Sequence, residues 1–308
     1  MALILHVGPR RAQWWKDTMQ SLIPDLEVRG WDDPGDPADV EFAVVWKHPA
    51  GGLLRFPNLK CIVSIGAGVD HVLVDPKLPK GVPIIRTIGE DLRQRMREYV
   101  ALHVLRLHRR LPEIEASQPK REWNQIIEPP APERTVGIMG LGFMGRYCAD
   151  ALVALGFDVL GWSREKKDVP GVTCFGGAEF DAFLARTQIL VCLLPLTPET
   201  DSILNSDLFA KLPEDACVIN AGRGEHLVEE DLIDALDNGK IRGATLDVFR
   251  TEPLPNDHPY WDHPNVLVTP HVASLIDPLA GGKVIAKNIE LFRAGKPVPD
   301  MIDPGKGY

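Results

Sequence analysis

The chain has 308 residues, of which 44% are hydrophobic and 25% are charged, an ordinary balance for about two globular domains. The net charge of −9 argues against nucleic-acid binding, because a phosphate backbone requires a basic protein face. The five cysteines are scattered, without a C-x-x-C pair or a His/Cys cluster, which indicates neither a disulfide framework nor a metal site.

The first predicted strand, residues 3–7, is a short apolar run with basic residues after it, which is the reverse of a signal peptide. No apolar stretch approaches the length of a membrane span. We therefore expect a soluble, cytoplasmic protein that neither crosses nor binds a membrane.

Short apolar runs alternate with helical or loop stretches and predict a first α/β unit. Its further strands are expected at residues 42–46, 61–65 and 83–86. Residues 90–111 predict one long helix, since apolar residues recur there at three- and four-residue steps. The polar, Pro-rich stretch that follows, up to Pro132, is interpreted as a crossing between domains or as an arm that packs on a partner subunit.

A second strand and helix series begins at Thr135, and its alternation favours a parallel sheet with helices on both faces. Its strands are predicted at residues 135–139, 158–161, 189–193, 216–220, 244–248 and 266–268. The last helix, residues 278–293, comes too late for that sheet, so we expect it to return to the first domain.

The first turn of the second series carries Gly140-x-Gly142-x-x-Gly145 between an apolar strand and a helical run. In this context Gly140 permits a tight turn, Gly142 lets a pyrophosphate approach the backbone, and Gly145 allows close helix–strand packing. The helix N-terminus supplies N–H groups to the phosphates. The pattern predicts dinucleotide binding; the alternative is a glycine-rich turn without a ligand.

The next strand ends in Gly161-Trp162-Ser163-Arg164, where NAD-binding proteins usually place an acid for the ribose hydroxyl. Ser163 can hydrogen-bond a 2′-phosphate and Arg164 can pair with it. This end therefore favours NADP(H), with NAD(H) still possible. The alternative is that Arg164 and the lysines after it form a solvated turn.

Three segments follow strand ends, where open α/β sheets bind ligands: Asn220-Ala221-Gly222-Arg223-Gly224, the run from Leu246 through Glu252 to Leu254, and Val268-Thr269-Pro270-His271. With Trp46-Lys47-His48-Pro49, Gly66-Ala67-Gly68-Val69-Asp70, the glycine turn, Trp162-Ser163-Arg164 and the run from Leu194 to Thr200, the chain resembles the D-2-hydroxyacid dehydrogenase family, of the glyoxylate/hydroxypyruvate reductase A type. The ordered set of motifs covers nearly the whole chain.

The resemblance implies a Rossmann-type doubly wound parallel sheet inserted in a flavodoxin-like α/β substrate domain. We expect the substrate domain at residues 1–97 plus 273–308 and the dinucleotide-binding domain at residues 98–272. The same resemblance implies a homodimer, in which we expect residues 90–132 to form the contact between the subunits.

The resemblance assigns Arg223 to the substrate carboxylate and keto oxygen, His271 to acid/base chemistry and Glu252 to its partner. An imidazole exchanges protons near neutral pH, and a carboxylate beside it favours the imidazolium. The planar guanidinium matches the adjacent oxygens of a 2-keto acid. Taken singly, the three are explained as well by a strand-end histidine, a loop charge and a capping donor.

The remaining site residues are also implied by the resemblance. Trp46, Ala67 and Gly68 are expected at the substrate, together with Arg223 and His271. The expected cofactor contacts are Gly140, Gly142, Phe143, Met144, Gly145, Ser163, Arg164, Leu194, Pro195, Thr200, Ala221, Arg223 and Asp247, the last as acceptor for the nicotinamide amide.

These motifs together predict an NADPH-dependent reductase of a small 2-keto acid, glyoxylate or hydroxypyruvate. One alternative is a reductase of a bulkier 2-keto acid such as phenylpyruvate, which the size of the pocket decides. Another is a dinucleotide-sensing regulator of the same fold.

Overall fold

The structure is a computed structural model that describes residues 1–302, apart from the side chain of Arg10. The chain forms two compact units, Met1–Leu92 with the segment that starts at Ile276, and Arg93–Leu275. The domain bounds expected from the sequence stay a prediction, and their last residues, 303–308, lie outside the described part of the chain.

The elements are numbered along the chain. The strands are β1 Ala2–His6, β2 Glu27–Gly30, β3 Val40–Val45, β4 Cys61–Ser64, β5 Ile84–Arg86, β6 Thr135–Met139, β7 Asp158–Trp162, β8 Val172–Phe175, β9 Ile189–Cys192, β10 Ala216–Asn220, β11 Ile241–Leu246, β12 Val266–Val268 and β13 Met301–Ile302. The helices are α1 Ala12–Leu22, α2 Asp70–Leu73, α3 Glu90–His108, α4 Leu111–Ser117, α5 Phe143–Ala154, α6 Phe180–Leu184, α7 Ser206–Lys211, α8 Glu229–Asp237 and α9 Pro278–Arg293.

The sheet of the first unit has the strand order β13-β5-β4-β3-β1-β2. It is parallel except for β13, which runs antiparallel to β5. The order 2-1-3-4-5 is that of flavodoxin-like sheets. Both faces are covered, which explains the nearly continuous apolar runs of β1, β3 and β4.

The first unit contains the last helix, as expected. Successive strand residues point to opposite faces, and one face, which includes Leu3 and Val44, packs against Trp15 of α1 and Ile285 of α9. The two helices approach closely, since a Cβ added at Gly281 would lie 3.1 Å from the Trp15 ring.

The sheet of the second unit is parallel throughout, in the order β12-β11-β10-β9-β6-β7-β8. The chain starts in the middle, builds one side through β7 and β8, and then crosses to β9. Such a reversal is the switch point at which doubly wound sheets bind dinucleotides beyond the carboxyl ends of their strands. Together the two sheets confirm the predicted fold class.

Several predicted elements differ from the structure in their bounds, among them the strand expected at residues 244–248, which is Ile241–Leu246, and the long helix after β5. The long helix expected over residues 90–111 ends at His108, and α4 starts separately at Leu111. Arg110 has a φ of +51°, which lies in the left-handed region and cannot continue a right-handed helix. The step from Leu107 to Leu111 fits helical spacing, so the sequence pattern does not reveal the break; Leu111 itself is 39% exposed.

Candidate active site

The glycine turn joins β6 to α5 at the switch point. Gly140 has a φ of +102°, and an added Cβ would lie 2.8 Å from the Leu193 carbonyl oxygen, so the tight turn requires glycine. A Cβ at Gly145 would lie 1.9 Å from the Gly140 carbonyl oxygen, so α5 packs directly against the turn. A Cβ at Gly142 would meet nothing within 4 Å, which leaves open space above its backbone.

A cavity of about 450 Å³ opens beside this turn. Its lining residues are Arg93, Leu141, Gly142, Phe143, Arg146, Tyr147 and Lys167. Three of them carry positive charge, and Arg93 stacks 4.3 Å from the centre of the Phe143 ring. Phe143 and Met144 are the first residues of α5. An exposed helix N-terminus next to cations suits an anionic ligand such as a pyrophosphate.

The end of β7 presents one buried and one exposed polar residue. The Ser163 hydroxyl donates to the Glu165 carbonyl oxygen at 2.7 Å, so in this structure it organises its own turn. Arg164 is exposed. Lys166 forms an ion pair with Glu179 at 3.0 Å. In the turn after β7, Arg164 is therefore exposed, whereas Lys166 is paired with a carboxylate.

The loop after β9 is closed by a threonine. The Thr200 hydroxyl donates to the Pro195 carbonyl oxygen at 2.7 Å and accepts from the Thr197 amide at 2.9 Å. Leu194, which precedes this loop, is 8% exposed and belongs to the core. The residues predicted at the cofactor from this segment thus lie on one ordered loop at the carboxyl end of β9.

A carboxylate and an imidazole meet in the second unit. Nδ1 of His271 lies 3.0 and 3.1 Å from the two carboxylate oxygens of Glu252, and both side chains are partly exposed. Because a carboxylate accepts, Nδ1 carries the shared proton, so that any proton transfer by this ring to another group involves Nε2. The structure brings these two predicted residues together.

A buried carboxylate shapes the loop that carries His271. The Asp247 side chain is buried and accepts hydrogen bonds from the Val272 and Ala273 amides and the Thr269 hydroxyl, at 2.9, 2.8 and 2.6 Å. Burial raises the pKa of this carboxyl, against these hydrogen bonds, which lower it. The loop thereby holds His271 at a φ of +52°, which is unusual for a non-glycine residue. The role of Asp247 toward the nicotinamide amide stays a prediction.

Arg223 follows β10 on a turn that packs backbone against backbone. A Cβ at Gly224 would lie 1.9 Å from the Phe249 carbonyl carbon, so glycine lets this turn contact the segment that leads to Glu252. The Arg223 guanidinium donates through Nη1 to the Gly222 carbonyl oxygen at 2.8 Å. Ala221 is 8% exposed and lies under the turn. The close approach of Gly224 to Phe249 therefore places the turn that carries Arg223 against the segment that leads to Glu252.

In the first unit the predicted substrate loop is also ordered by a histidine. Trp46 packs on the His71 ring, with ring centres 4.3 Å apart. Nδ1 of His71 accepts from the Lys47 amide at 3.2 Å, and Nε2 lies 2.9 Å from the Ser64 hydroxyl. That hydroxyl donates to the Gly68 carbonyl oxygen at 2.7 Å. Ala67 and Gly68 are partly exposed on this loop.

Sequence reasoning missed several residues that shape these loops: Ser64, His71, Tyr99, Asn220, His226 and Thr269. Each is a polar residue on or beside an apolar strand or helix, and burial of such a residue is a signal that it has a hydrogen-bond partner. The sequence contains this signal at Ser64 and Asn220, which end buried strands, but does not name the partners.

Among residues 1–302, no group of three or more His, Cys, Asp or Glu side chains is arranged to hold a metal ion. In the same residues, no helix has both the length and the apolar character that crossing a membrane requires.

The sequence matches a family model over residues 101–273, described as the NAD binding domain of D-isomer specific 2-hydroxyacid dehydrogenase. It is also 42% identical to "Glyoxylate/hydroxypyruvate reductase A" of Serratia proteamaculans, with 100% of both chains covered. The chain belongs to the D-isomer specific 2-hydroxyacid dehydrogenase family. It is therefore an oxidoreductase, and the family resemblance stated from its motifs is confirmed.

Two solved structures resemble this member of the D-isomer specific 2-hydroxyacid dehydrogenases closely. A D-isomer specific 2-hydroxyacid dehydrogenase of Xanthobacter autotrophicus Py2, in complex with NADPH and MES, is 42% identical, with a TM-score of 0.93 over 100% of this chain and 99% of that one. The NADPH-dependent glyoxylate/hydroxypyruvate reductase of Sinorhizobium meliloti, in complex with NADP and sulfate, is 41% identical, with the same TM-score and coverage.

Proposed function

We propose that this dehydrogenase reduces a small 2-keto acid, glyoxylate or hydroxypyruvate, to the 2-hydroxy acid with NADPH. The observation that carries the proposal is the Glu252–His271 pair, whose atoms lie 3.0 Å apart on loops at the carboxyl end of the sheet that also bears the glycine turn. The names of its relatives, which are glyoxylate/hydroxypyruvate reductases, support the substrate class.

Arg223 binds and orients the substrate. Its guanidinium presents a planar pair of donors to the carboxylate and the keto oxygen, which lie side by side in a 2-keto acid. A positive charge at the keto oxygen also stabilises the negative charge that develops there during reduction. Trp46, Ala67 and Gly68 are proposed as further substrate contacts.

His271 supplies the proton. Nε2 of the imidazolium donates to the oxygen of the former ketone as the new C–H bond forms, and the neutral imidazole takes up a proton from solvent afterwards. Glu252 accepts from Nδ1–H and so holds the ring in one orientation, with Nε2 as the nitrogen that transfers the proton. The reaction consumes one hydride and one proton for each ketone.

NADPH, when bound, supplies the hydride. The chain fits such a cofactor because the glycine turn leaves its backbone accessible and because the first exposed residue in the turn after β7 is Arg164 rather than an acid. The turn and the first residues of α5 hold the pyrophosphate, and Arg164 pairs with the 2′-phosphate. The other predicted cofactor contacts, from Leu194 to Asp247, remain part of the proposal.

Steady-state kinetics with a panel of 2-keto acids tests the function. We expect oxidation of NADPH with glyoxylate and hydroxypyruvate, at a higher kcat/KM than with phenylpyruvate. A higher kcat/KM with phenylpyruvate would move the assignment to bulkier substrates. If the folded protein binds NADPH but turns over no 2-keto acid, the proposal of an enzyme is wrong and the alternative of a dinucleotide-sensing regulator is favoured.

The Arg164→Ala variant is expected to raise KM for NADPH about tenfold, because a charge-assisted contact to phosphate is lost, and to leave KM for NADH unchanged. Lys166→Ala is a matched control, since Lys166 contacts Glu179. Both constants are measured by initial rates at saturating 2-keto acid. Equal changes in the two KM values would contradict the assignment of the 2′-phosphate to Arg164.

We also propose that the chain forms a homodimer through α3, α4 and the arm up to Pro132. Trp123 and Ile127 are 91% and 95% exposed, and large apolar side chains in such a position are typical of an interface. Light scattering is expected to give twice the 34.1 kDa of one chain. The double variant Trp123→Ser, Ile127→Ser is expected to shift it toward the single chain. A wild-type mass of one chain would refute the dimer.

A further inference from the structure

His226 is a fully buried histidine at the end of the short turn that follows Arg223. Its Nδ1 accepts a hydrogen bond from the Arg223 amide at 3.0 Å. Its Nε2 lies 3.3 Å from the Pro195 carbonyl oxygen. One ring therefore connects the arginine turn after β10 to the loop after β9.

The polar contacts of this ring determine its protonation. Cys192 Sγ also lies 3.8 Å from Nδ1, and as a thiol it can donate to the same nitrogen as the Arg223 amide does. A backbone amide can only donate and a carbonyl oxygen can only accept, so Nδ1 is the unprotonated nitrogen and Nε2 carries the hydrogen. A second proton on Nδ1 would remove the acceptor for the Arg223 amide. The bridge thus requires the neutral ring with its hydrogen on Nε2.

The backbone of Arg223 is held from both sides. Its amide donates to His226, and its carbonyl oxygen accepts from the Asn220 side-chain amide at 3.0 Å. Close packing reinforces this arrangement, because a Cβ at Gly222 would lie 2.9 Å from Nδ1 of His226. Because the backbone of Arg223 is constrained, its side chain starts from a fixed position. A fixed position of the guanidinium is what precise orientation of a small substrate requires.

We propose that His226 is a positioning residue that sets the Arg223 turn and the Pro195 loop in register through its two ring nitrogens. Nδ1 serves the arginine that binds the keto acid, and Nε2 serves the loop at the cofactor. The inference rests on the proposed function, which gives those two segments their ligands. It adds a residue that contacts neither ligand and acts through the backbone of both loops.

Two conservative substitutions separate the two halves of the bridge. In His226→Asn the amide oxygen takes the position of Nδ1 and retains the acceptor for the Arg223 amide. In His226→Gln the amide nitrogen reaches the position of Nε2 and retains the donor to Pro195. Each variant therefore loses one contact and retains the other.

The expected results are opposite in the two variants. His226→Asn is expected to raise the dissociation constant of NADPH about tenfold, measured by fluorescence titration without substrate, and to leave KM for the keto acid near that of the wild type. His226→Gln is expected to raise KM for the keto acid about tenfold and to leave NADPH binding near that of the wild type. Parallel changes in both constants, or no change in either, would overturn the proposal, since a merely structural histidine produces no such crossed pattern.

Two further measurements keep the result interpretable. Nitrogen NMR of the wild-type histidine rings is expected to find the His226 hydrogen on Nε2, and a hydrogen on Nδ1 would refute the bridge even if both variants failed to fold. If the wild type binds NADPH but reduces no 2-keto acid, the proposed function fails, whereas the titration of His226→Asn still tests the Pro195 half.

Discussion

Replacement of His271 by alanine is expected to lower kcat for keto-acid reduction by at least ~10²-fold, because general acid catalysis by a positioned side chain typically contributes this much. NADPH binding is expected to persist, since Asp247 holds the loop through the Val272 and Ala273 amides rather than through the imidazole. The measurement is kcat at saturating NADPH and keto acid, with a fluorescence titration of NADPH alongside.

His271→Asn is the matched variant, because asparagine tolerates the φ of +52° at this position and yet cannot act as the acid. It should lose as much activity as His271→Ala. Glu252→Gln retains a hydrogen-bond acceptor for Nδ1 but removes the negative charge beside the ring. We expect a lower kcat in this variant than in the wild type, measured under the same conditions. Near-normal turnover of the two His271 variants would remove this residue from the role of acid.

The free energy of unfolding is expected to fall as the pH is lowered from 6.5 toward 4, with His103 contributing about 3 kcal/mol of the loss. Burial, with a smaller effect of Arg106, lowers the pKa of His103 to about 4. The native state therefore favours the neutral ring, so this stability is fully present above the unfolded value of about 6.5 and disappears as the folded ring becomes protonated. The side chain is 5% exposed and packs 4.2 Å from the Tyr99 ring centre.

His103→Phe tests this directly, because phenylalanine occupies a similar volume beside Tyr99 and does not titrate. Urea unfolding at pH 7.5 and at pH values down to about 4.5 should give a shallower pH dependence for the variant than for the wild type. Burial lowers the pKa of His48 and His108 as well, so part of the slope remains. If the free energy of unfolding depends equally on pH in the wild type and the variant, His103 does not contribute the predicted loss of stability.

The interior strands of each sheet were predictable from apolar runs, and three of the four edge strands were not. The strands expected at residues 135–139, 216–220 and 266–268 and the helix at residues 278–293 are confirmed at their full extent. The edge strands β2, β8 and β13 went unpredicted, whereas the edge strand β12 was predicted. In β2 only Val28 is buried, because an edge strand lacks the covering on both faces that produces a long apolar run.

For the candidate site, residues at strand ends could be predicted from the sequence, whereas the residues that hold their loops could not. Glycines and charged residues at strand ends were readable because each has a steric or electrostatic reason to occupy such a position, as Gly140 and Arg223 do. The residues that hold those loops, such as His226 and Asp247, depend on partners elsewhere in the chain. His226 reaches Pro195 across 31 residues, and no local pattern encodes that pairing.

The sequence by itself determined the two α/β units, the glycine turn after β6 and the order of the residues proposed for the site, because periodicity and turn chemistry are local properties. Only the tertiary structure decided that Glu252 reaches Nδ1 of His271 and that the His226 ring joins the Arg223 and Pro195 loops. The physical reason is that the parallel order β8-β7-β6-β9-β10-β11-β12 brings the carboxyl ends of strands that are distant in sequence to one edge of the sheet. Hydrogen bonds formed there depend on distance in space rather than along the chain.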